Sequence, residues 1–168
     1  ERYALPAQLT FLFQRVDQLR ALAQLDLFRR PTVADFLFDK DPLFARLNLT
    51  DDEYALYEKI YAHLKPQVAV PDLVIYLQAT PEVLKKRLKK KNAPGEKAIS
   101  EDYLMEVVKA YEHFFFHYTQ SDLLIVNTSE IDFVDRNEDL QELLKKVSAP
   151  IKGTQYFLPL GNQEAASV

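Results

Sequence analysis

Apolar residues Leu9, Leu12, Val16, Leu19 and Ala23 recur at steps of three and four from Leu5 onward, the period of a helix that buries one stripe. This predicts a first helix that stops before Arg29-Arg30-Pro31. The β-branched and aromatic run Thr32-Val33-Ala34-Asp35-Phe36-Leu37-Phe38 reads as a short strand, and Pro42 as the end of regular structure. A second helix opens at Thr50, whose hydroxyl can cap the first turn while Glu53 reaches back in a capping box. Tyr54, Tyr57, Ile60, Tyr61 and Leu64 supply its apolar face, and Pro66 and Pro71 mark its exit.

Beyond Pro71 the period changes. Asp72–Gln78 and Leu123–Val126 have continuous apolar centres, as expected of strands covered on both faces in a parallel sheet. Thr80-Pro81-Glu82 starts a helix at once, with a capping hydroxyl, a proline suited to the first turn and an acid that complements the dipole. Ser100 caps a long helix to about His117, a last helix runs from Asn137 to Val147, and the tail beyond Pro150 is less regular. Alternating buried strands and amphipathic helices predict an α/β domain with right-handed crossovers. Ligands in such sheets sit at the carboxyl ends of the strands, which draws attention to Asp35, Gln78, Thr80, Asn127 and Thr128.

At 168 residues and 48% hydrophobic, the chain is long enough for one domain, expected over residues 1–168 with a tail from 150. A net charge of −4 gives no overall field to hold a nucleic-acid backbone or an anionic membrane. No apolar run approaches the roughly 18 to 20 residues of a membrane span, and the first residues lack the apolar core of a secretory signal. The absence of cysteine excludes a disulfide framework and fits a cytoplasmic setting. Only Gly95, Gly153 and Gly161 are glycines, so the chain has no glycine-rich turn whose amides could close on phosphate oxygens.

Four features carry candidate chemistry. Gln8 and Arg15 stand seven apart on one face of the first helix; an amide and a planar guanidinium there can read the edge of a base or simply solvate the helix flank. Asp35 interrupts an apolar run, and a carboxylate in a buried strand needs a partner or a ligand. Lys85-Lys86-Arg87-Leu88-Lys89-Lys90-Lys91 ends a helix before the loop 92–98. Those cations complement the helix's negative pole, and a basic helix end leading into a hinged loop also suits a lid over a phosphoryl group in transfer. His113 and His117 lie one turn apart, but Phe114 stands where a zincin has glutamate and no third ligand is evident, so aromatic packing is expected there and no metal site.

Taken together, Asp35-Phe36-Leu37-Phe38-Asp39-Lys40-Asp41, Phe44-Ala45-Arg46-Leu47-Asn48-Leu49, Pro71-Asp72-Leu73-Val74-Ile75-Tyr76-Leu77-Gln78-Ala79 and Tyr111-Glu112-His113-Phe114-Phe115 resemble the deoxynucleoside kinase family, in its bacterial deoxyadenosine/deoxyguanosine kinase branch. The likeness runs from Gln8 to Tyr156-Phe157. It implies a P-loop NTPase-like three-layer α/β/α fold with a parallel sheet, incomplete at the N-terminus. It also implies ATP and Mg2+ as cofactors, a deoxynucleoside substrate with purine favoured, and a homodimer built on helix faces around Tyr54 and Phe114.

By this resemblance Gln8 pairs with the base and Arg15 lies beside it. Asp35 matches the acidic residue of a strand motif that supports the active centre, with Phe36 where many relatives carry arginine. Asp41 matches a base-discriminating aspartate, Lys40 being the other position the alignment allows. Arg87 and Lys91 match cations around the phosphates, Ala93 replaces another lid arginine, and Glu96 matches the lid glutamate that holds the sugar 3′-hydroxyl. Asp132 and Phe133 fall in a turn like the one that contacts adenine. The family's glycine-rich loop and the glutamate that takes the proton from the 5′-hydroxyl would both precede Glu1, so these 168 residues alone are expected to be inactive. Two other readings remain: a non-catalytic α/β nucleotide-binding or interaction module, and a nucleotide kinase of the thymidylate type.

Overall fold

The computed structural model describes residues 3–25, 31–92 and 99–159. The chain divides into two compact units, Glu1–Val70 and Pro71–Val168.

The first unit is helical. Helix α1 spans Ala4–Leu25, α2 Asp41–Asn48 and α3 Asp51–Leu64. The stripe foreseen on α1 is the buried one: Leu12 and Val16 join Phe38, Ala45, Tyr57 and Leu64 in the core, with Leu5, Leu9 and Leu19 packed against it. Phe38 and Tyr61 stack with ring centroids 5.2 Å apart. The capping box at Thr50 is present, its hydroxyl accepting from the Glu53 amide while the Glu53 carboxylate accepts from the Thr50 amide.

Two expectations fail in this unit. Residues 31–37 form no strand; they run as irregular chain into a 3-10 turn at Phe38–Lys40. β-propensity describes fitness for a half-buried pleated surface next to a partner strand. Among the described residues all three strands belong to the second unit, and Val33 is 96% exposed. Nor does Pro42 end regular structure: it lies in the first turn of α2, where its missing N–H forfeits no helical hydrogen bond.

The second unit holds a parallel sheet in the order β1-β2-β3, formed by β1 (Leu73–Gln78), β2 (Asp122–Asn127) and β3 (Thr154–Phe157). Val74 pairs with Leu123 and Gln78 with Asn127, while Val126 pairs with Phe157. The helices are α4 (Pro81–Lys91), α5 (Glu101–Phe116) and α6 (Asn137–Ser148). The α/β class and parallel sheet are as expected, and Thr80 and Ser100 cap α4 and α5 as foreseen.

Central β2 is buried on both faces through Leu123, Leu124, Ile125 and Val126. Its neighbour β1 corrects the expectation of two covered faces. Val74 and Tyr76 are buried, and Tyr76 stacks on Phe115 of α5 at 4.2 Å, whereas Ile75 and Leu77 on the other face are 39% and 45% exposed. A continuous apolar run does not report how many faces are covered; the strand's period of two decides that only once neighbours are placed. The tail also contains more order than expected, since β3 lies in it. Gly153 turns the chain with φ of 64°, a conformation that strains any side chain. Its amide donates to Asp122 Oδ1 at 2.7 Å, and its carbonyl accepts from the Leu123 amide at 3.0 Å.

Candidate active site

In the first unit three elements converge on one carboxylate. Asp41 opens α2, where the helix N-terminus favours negative charge, and it is fully buried. From α1, Gln8 Nε2 donates to Oδ1 at 3.1 Å and Arg15 pairs with Oδ2. From α3, the Tyr57 hydroxyl donates to Oδ1 at 2.6 Å. A buried carboxylate without such donors would be costly; here both oxygens are engaged. Because an ionised carboxylate only accepts, the Gln8 amide must turn its nitrogen to Asp41 and its oxygen away. Arg15 is partly exposed, its guanidinium 5.9 Å from the ring centroids of both Phe11 and Phe36. An amide acceptor and guanidinium donors framed by aromatic rings suit the edge of a flat, polar heterocycle.

Next to this cluster Asp39 accepts from Tyr61 at 3.1 Å and pairs with Lys65 at 2.6 Å. Burial first, then the facing carboxylates, push the phenols of Tyr57 and Tyr61 well above their ordinary range. In the second unit Tyr76 is pushed up to about 12, chiefly by burial and then by Glu112. A folded pKa above the unfolded value of about 10 means stability that is complete below pH ~10 and lost as pH rises toward the folded values. Circular dichroism on an alkaline titration should therefore show unfolding that begins above about pH 10, with phenolate absorbance from these residues rising only alongside it. Ionisation of all tyrosines in a still-folded protein would contradict the packing described.

In the second unit the carboxyl ends of β1 and β2 are tied together. The Thr128 amide and hydroxyl both donate to the Gln78 carbonyl, at 2.8 and 2.9 Å. Arg87 of α4 donates to the Thr128 hydroxyl at 2.9 Å, the Thr128 carbonyl at 2.6 Å and the Ile131 carbonyl at 3.1 Å. The following turn is held by acids. Asp132 Oδ1 accepts from the Val134 and Asp135 amides, both at 3.1 Å, and the Asp132 amide donates to Asp139 Oδ2 at 2.7 Å. Lys90 pairs with Asp135 and lies 3.8 Å from Asp132.

A family model described as "Deoxynucleoside kinase" matches residues 1–152. The chain belongs to the deoxynucleoside kinase family. It is 27% identical over 152 residues to a deoxyguanosine kinase of Bacillus subtilis, covering 88% of this chain and 73% of that one. It is 24% identical over 159 residues to a deoxyadenosine kinase of Lactobacillus acidophilus, covering 85% and 74%. Among solved structures, a deoxyadenosine kinase from M. mycoides with dCMP and a flexible dCDP bound superposes with a TM-score of 0.70 at 22% identity, covering 85% of this chain and 72% of that one. The fold is accordingly the P-loop NTPase-like α/β fold of these kinases.

The structure brings Gln8, Arg15 and Asp41, which only the resemblance joined, onto one carboxylate cluster, and sets Arg87 against the turn that contains Asp132 and Phe133. Phe133 packs with Leu124, Val126 and Leu143, and Lys91 lies exposed in the last turn of α4. Asp35 is corrected in setting: it is an exposed residue at a bend rather than a buried strand acid, because no ladder forms around it. Glu96 and Ala93 lie outside the described residues. His117 Nδ1 meets the His113 carbonyl at 2.9 Å, and the two rings lie 4.5 Å apart within α5. Tyr57 and Asp139 were not foreseen. Periodicity makes Tyr57 part of an apolar face, and its hydroxyl is the signal that such a pattern does not read; Asp139 sits in the acidic first turn of α6, which is ordinarily a solvated position.

Proposed function

We propose that this chain belongs to an enzyme that transfers the γ-phosphoryl group of ATP to the 5′-hydroxyl of a deoxynucleoside, yielding the monophosphate for nucleotide salvage. The observation that carries the proposal is the fully buried Asp41 with both oxygens engaged, which holds Gln8 and Arg15 as a preformed pair for a base edge. A purine is the favoured base, in keeping with the deoxyguanosine and deoxyadenosine kinases among the relatives. Asp35 supports the reacting end of the nucleoside and Glu96 holds the sugar 3′-hydroxyl. Lys91 serves the phosphate side, and Arg87 holds the turn whose Asp132 and Phe133 receive the adenine of ATP. The working form is a cytoplasmic homodimer; no helix among the described residues is long and apolar enough to cross a membrane.

Mg2+ accompanies ATP in this chemistry and supplies charge neutralisation at the β- and γ-phosphates. Among the described residues no three His, Cys, Asp or Glu side chains gather as a metal site. The present residues hold the base, orient the sugar and shape the turn that receives the donor.

The test is phosphate transfer from ATP by the protein as its gene encodes it, offered deoxyadenosine, deoxyguanosine, deoxycytidine and deoxynucleoside monophosphates. Monophosphate formation from a deoxypurine nucleoside is the expected result. Transfer only to monophosphates would replace the proposal with a thymidylate-type activity, and no transfer to any acceptor would leave a binding module.

A further inference from the structure

Asp139 is a buried acid that the proposed chemistry does not use. It stands in the first turn of α6 and is 5% exposed. Its Oδ2 accepts from the Asp132 amide at 2.7 Å, and its Oδ1 accepts from Arg136 at 2.8 Å, where the guanidinium remains partly exposed. Removing a carboxylate of this size from water needs strong donors in return, and the chain supplies a charge-assisted bond to a backbone amide and an ion pair within one turn of helix. The bonded amide is that of Asp132, whose own carboxylate accepts from the amides of Val134 and Asp135 further along the turn. The Asp132 carbonyl in turn accepts from the Arg136 amide at 2.8 Å. Asp139 thus sits at the root of a chain of bonds that fixes the backbone from Asp132 to Arg136.

We infer that Asp139 is a positioning residue for the phosphate donor, setting the backbone of the turn that receives the adenine of ATP. The inference rests on the proposed role of Asp132 and Phe133. It assigns to Asp139 no contact with either substrate. Loss of its carboxylate should loosen the turn and weaken ATP without touching the deoxynucleoside.

Asp139→Ala should raise the KM for ATP about tenfold, with the KM for the deoxynucleoside within about twofold of wild type. Asp139→Asn keeps the shape and one accepting oxygen, which cannot serve both the Asp132 amide and Arg136, so its KM for ATP should rise only about threefold. If the alanine variant does not fold, the asparagine variant decides alone: a selective rise supports the role, and a wild-type KM for ATP overturns it. An equal rise in both KM values would also overturn it, since that is the mark of general loosening. Wild-type transfer is measured first, and its absence would count against the kinase reading. In that case hydrogen exchange at the amides of Asp132, Val134 and Asp135 reads the turn without turnover; faster exchange in Asp139→Asn is expected, and unchanged exchange would overturn the inference.

Discussion

Replacing Asp41 by alanine should cost about 3 kcal/mol of folding stability and lower kcat/KM for the deoxynucleoside at least about a hundredfold. Asp41 is fully buried, and its two oxygens take donors from Gln8, Arg15 and Tyr57. The substitution leaves a buried amide and a buried hydroxyl without their acceptor, each a desolvation loss of roughly 1 to 3 kcal/mol. Arg15 is partly exposed and can recover water, which keeps the total well below the sum of the parts. The activity should fall as well as the stability, because Gln8 and Arg15 would then be free to turn away from the proposed base edge. Asp41→Asn separates the two effects: it keeps the volume, but its amide group must set a donor against Gln8 or Arg15. That variant should be the more stable of the two and nearly as inactive. A urea midpoint and kcat/KM for Asp41→Ala that both match wild type would remove the cluster from the account of base recognition.

The parts of the fold that could be read from the sequence were those decided locally. The stripe on α1 needs only a period of 3.6, and the caps at Thr50, Thr80 and Ser100 need only a hydroxyl before a helix-forming run. Residues 31–37 could not be read in this way, because a β-branched run becomes a strand only beside a partner. Asp35 was misplaced for the same reason, and Asp41, six residues on, proved to be the buried acid. Periodicity left Gln8 and Arg15 undecided between a solvated flank and a base-reading pair, since nothing along the chain says that a carboxylate 33 residues from Gln8 will meet it. Composition also hid β3, whose four residues depend on the turn at Gly153 and on pairing with β2. The resemblance to a family supplied the long-range information that local pattern lacks, by matching Gln8, Arg15 and Asp41 to positions expected around one base.

Arg87 separates two roles that share one residue. As a phosphate cation it would act on the transferred group, and its loss would appear chiefly in kcat. In this structure its donors meet the Thr128 hydroxyl and the carbonyls of Thr128 and Ile131, all in or leading into the turn that carries Asp132. Charged donors to carbonyls are worth roughly 1.5 to 3 kcal/mol each when measured singly, and bonds sharing one guanidinium do not add. Arg87→Ala should therefore lower kcat/KM for ATP about a hundredfold, mostly through KM, and reduce stability by about 2 kcal/mol. Arg87→Lys should recover only a small part of either loss, because a single ammonium cannot reproduce the fork that spans two carbonyls and a hydroxyl. The Thr128 hydroxyl would still donate to Gln78 in both variants, so the ends of β1 and β2 should stay joined while the turn beyond them loosens. Steady-state kinetics with ATP varied at saturating deoxynucleoside make the distinction: a loss concentrated in kcat with an unchanged KM for ATP would return Arg87 to the phosphoryl group and leave the turn to be held by Asp139 and Asp132.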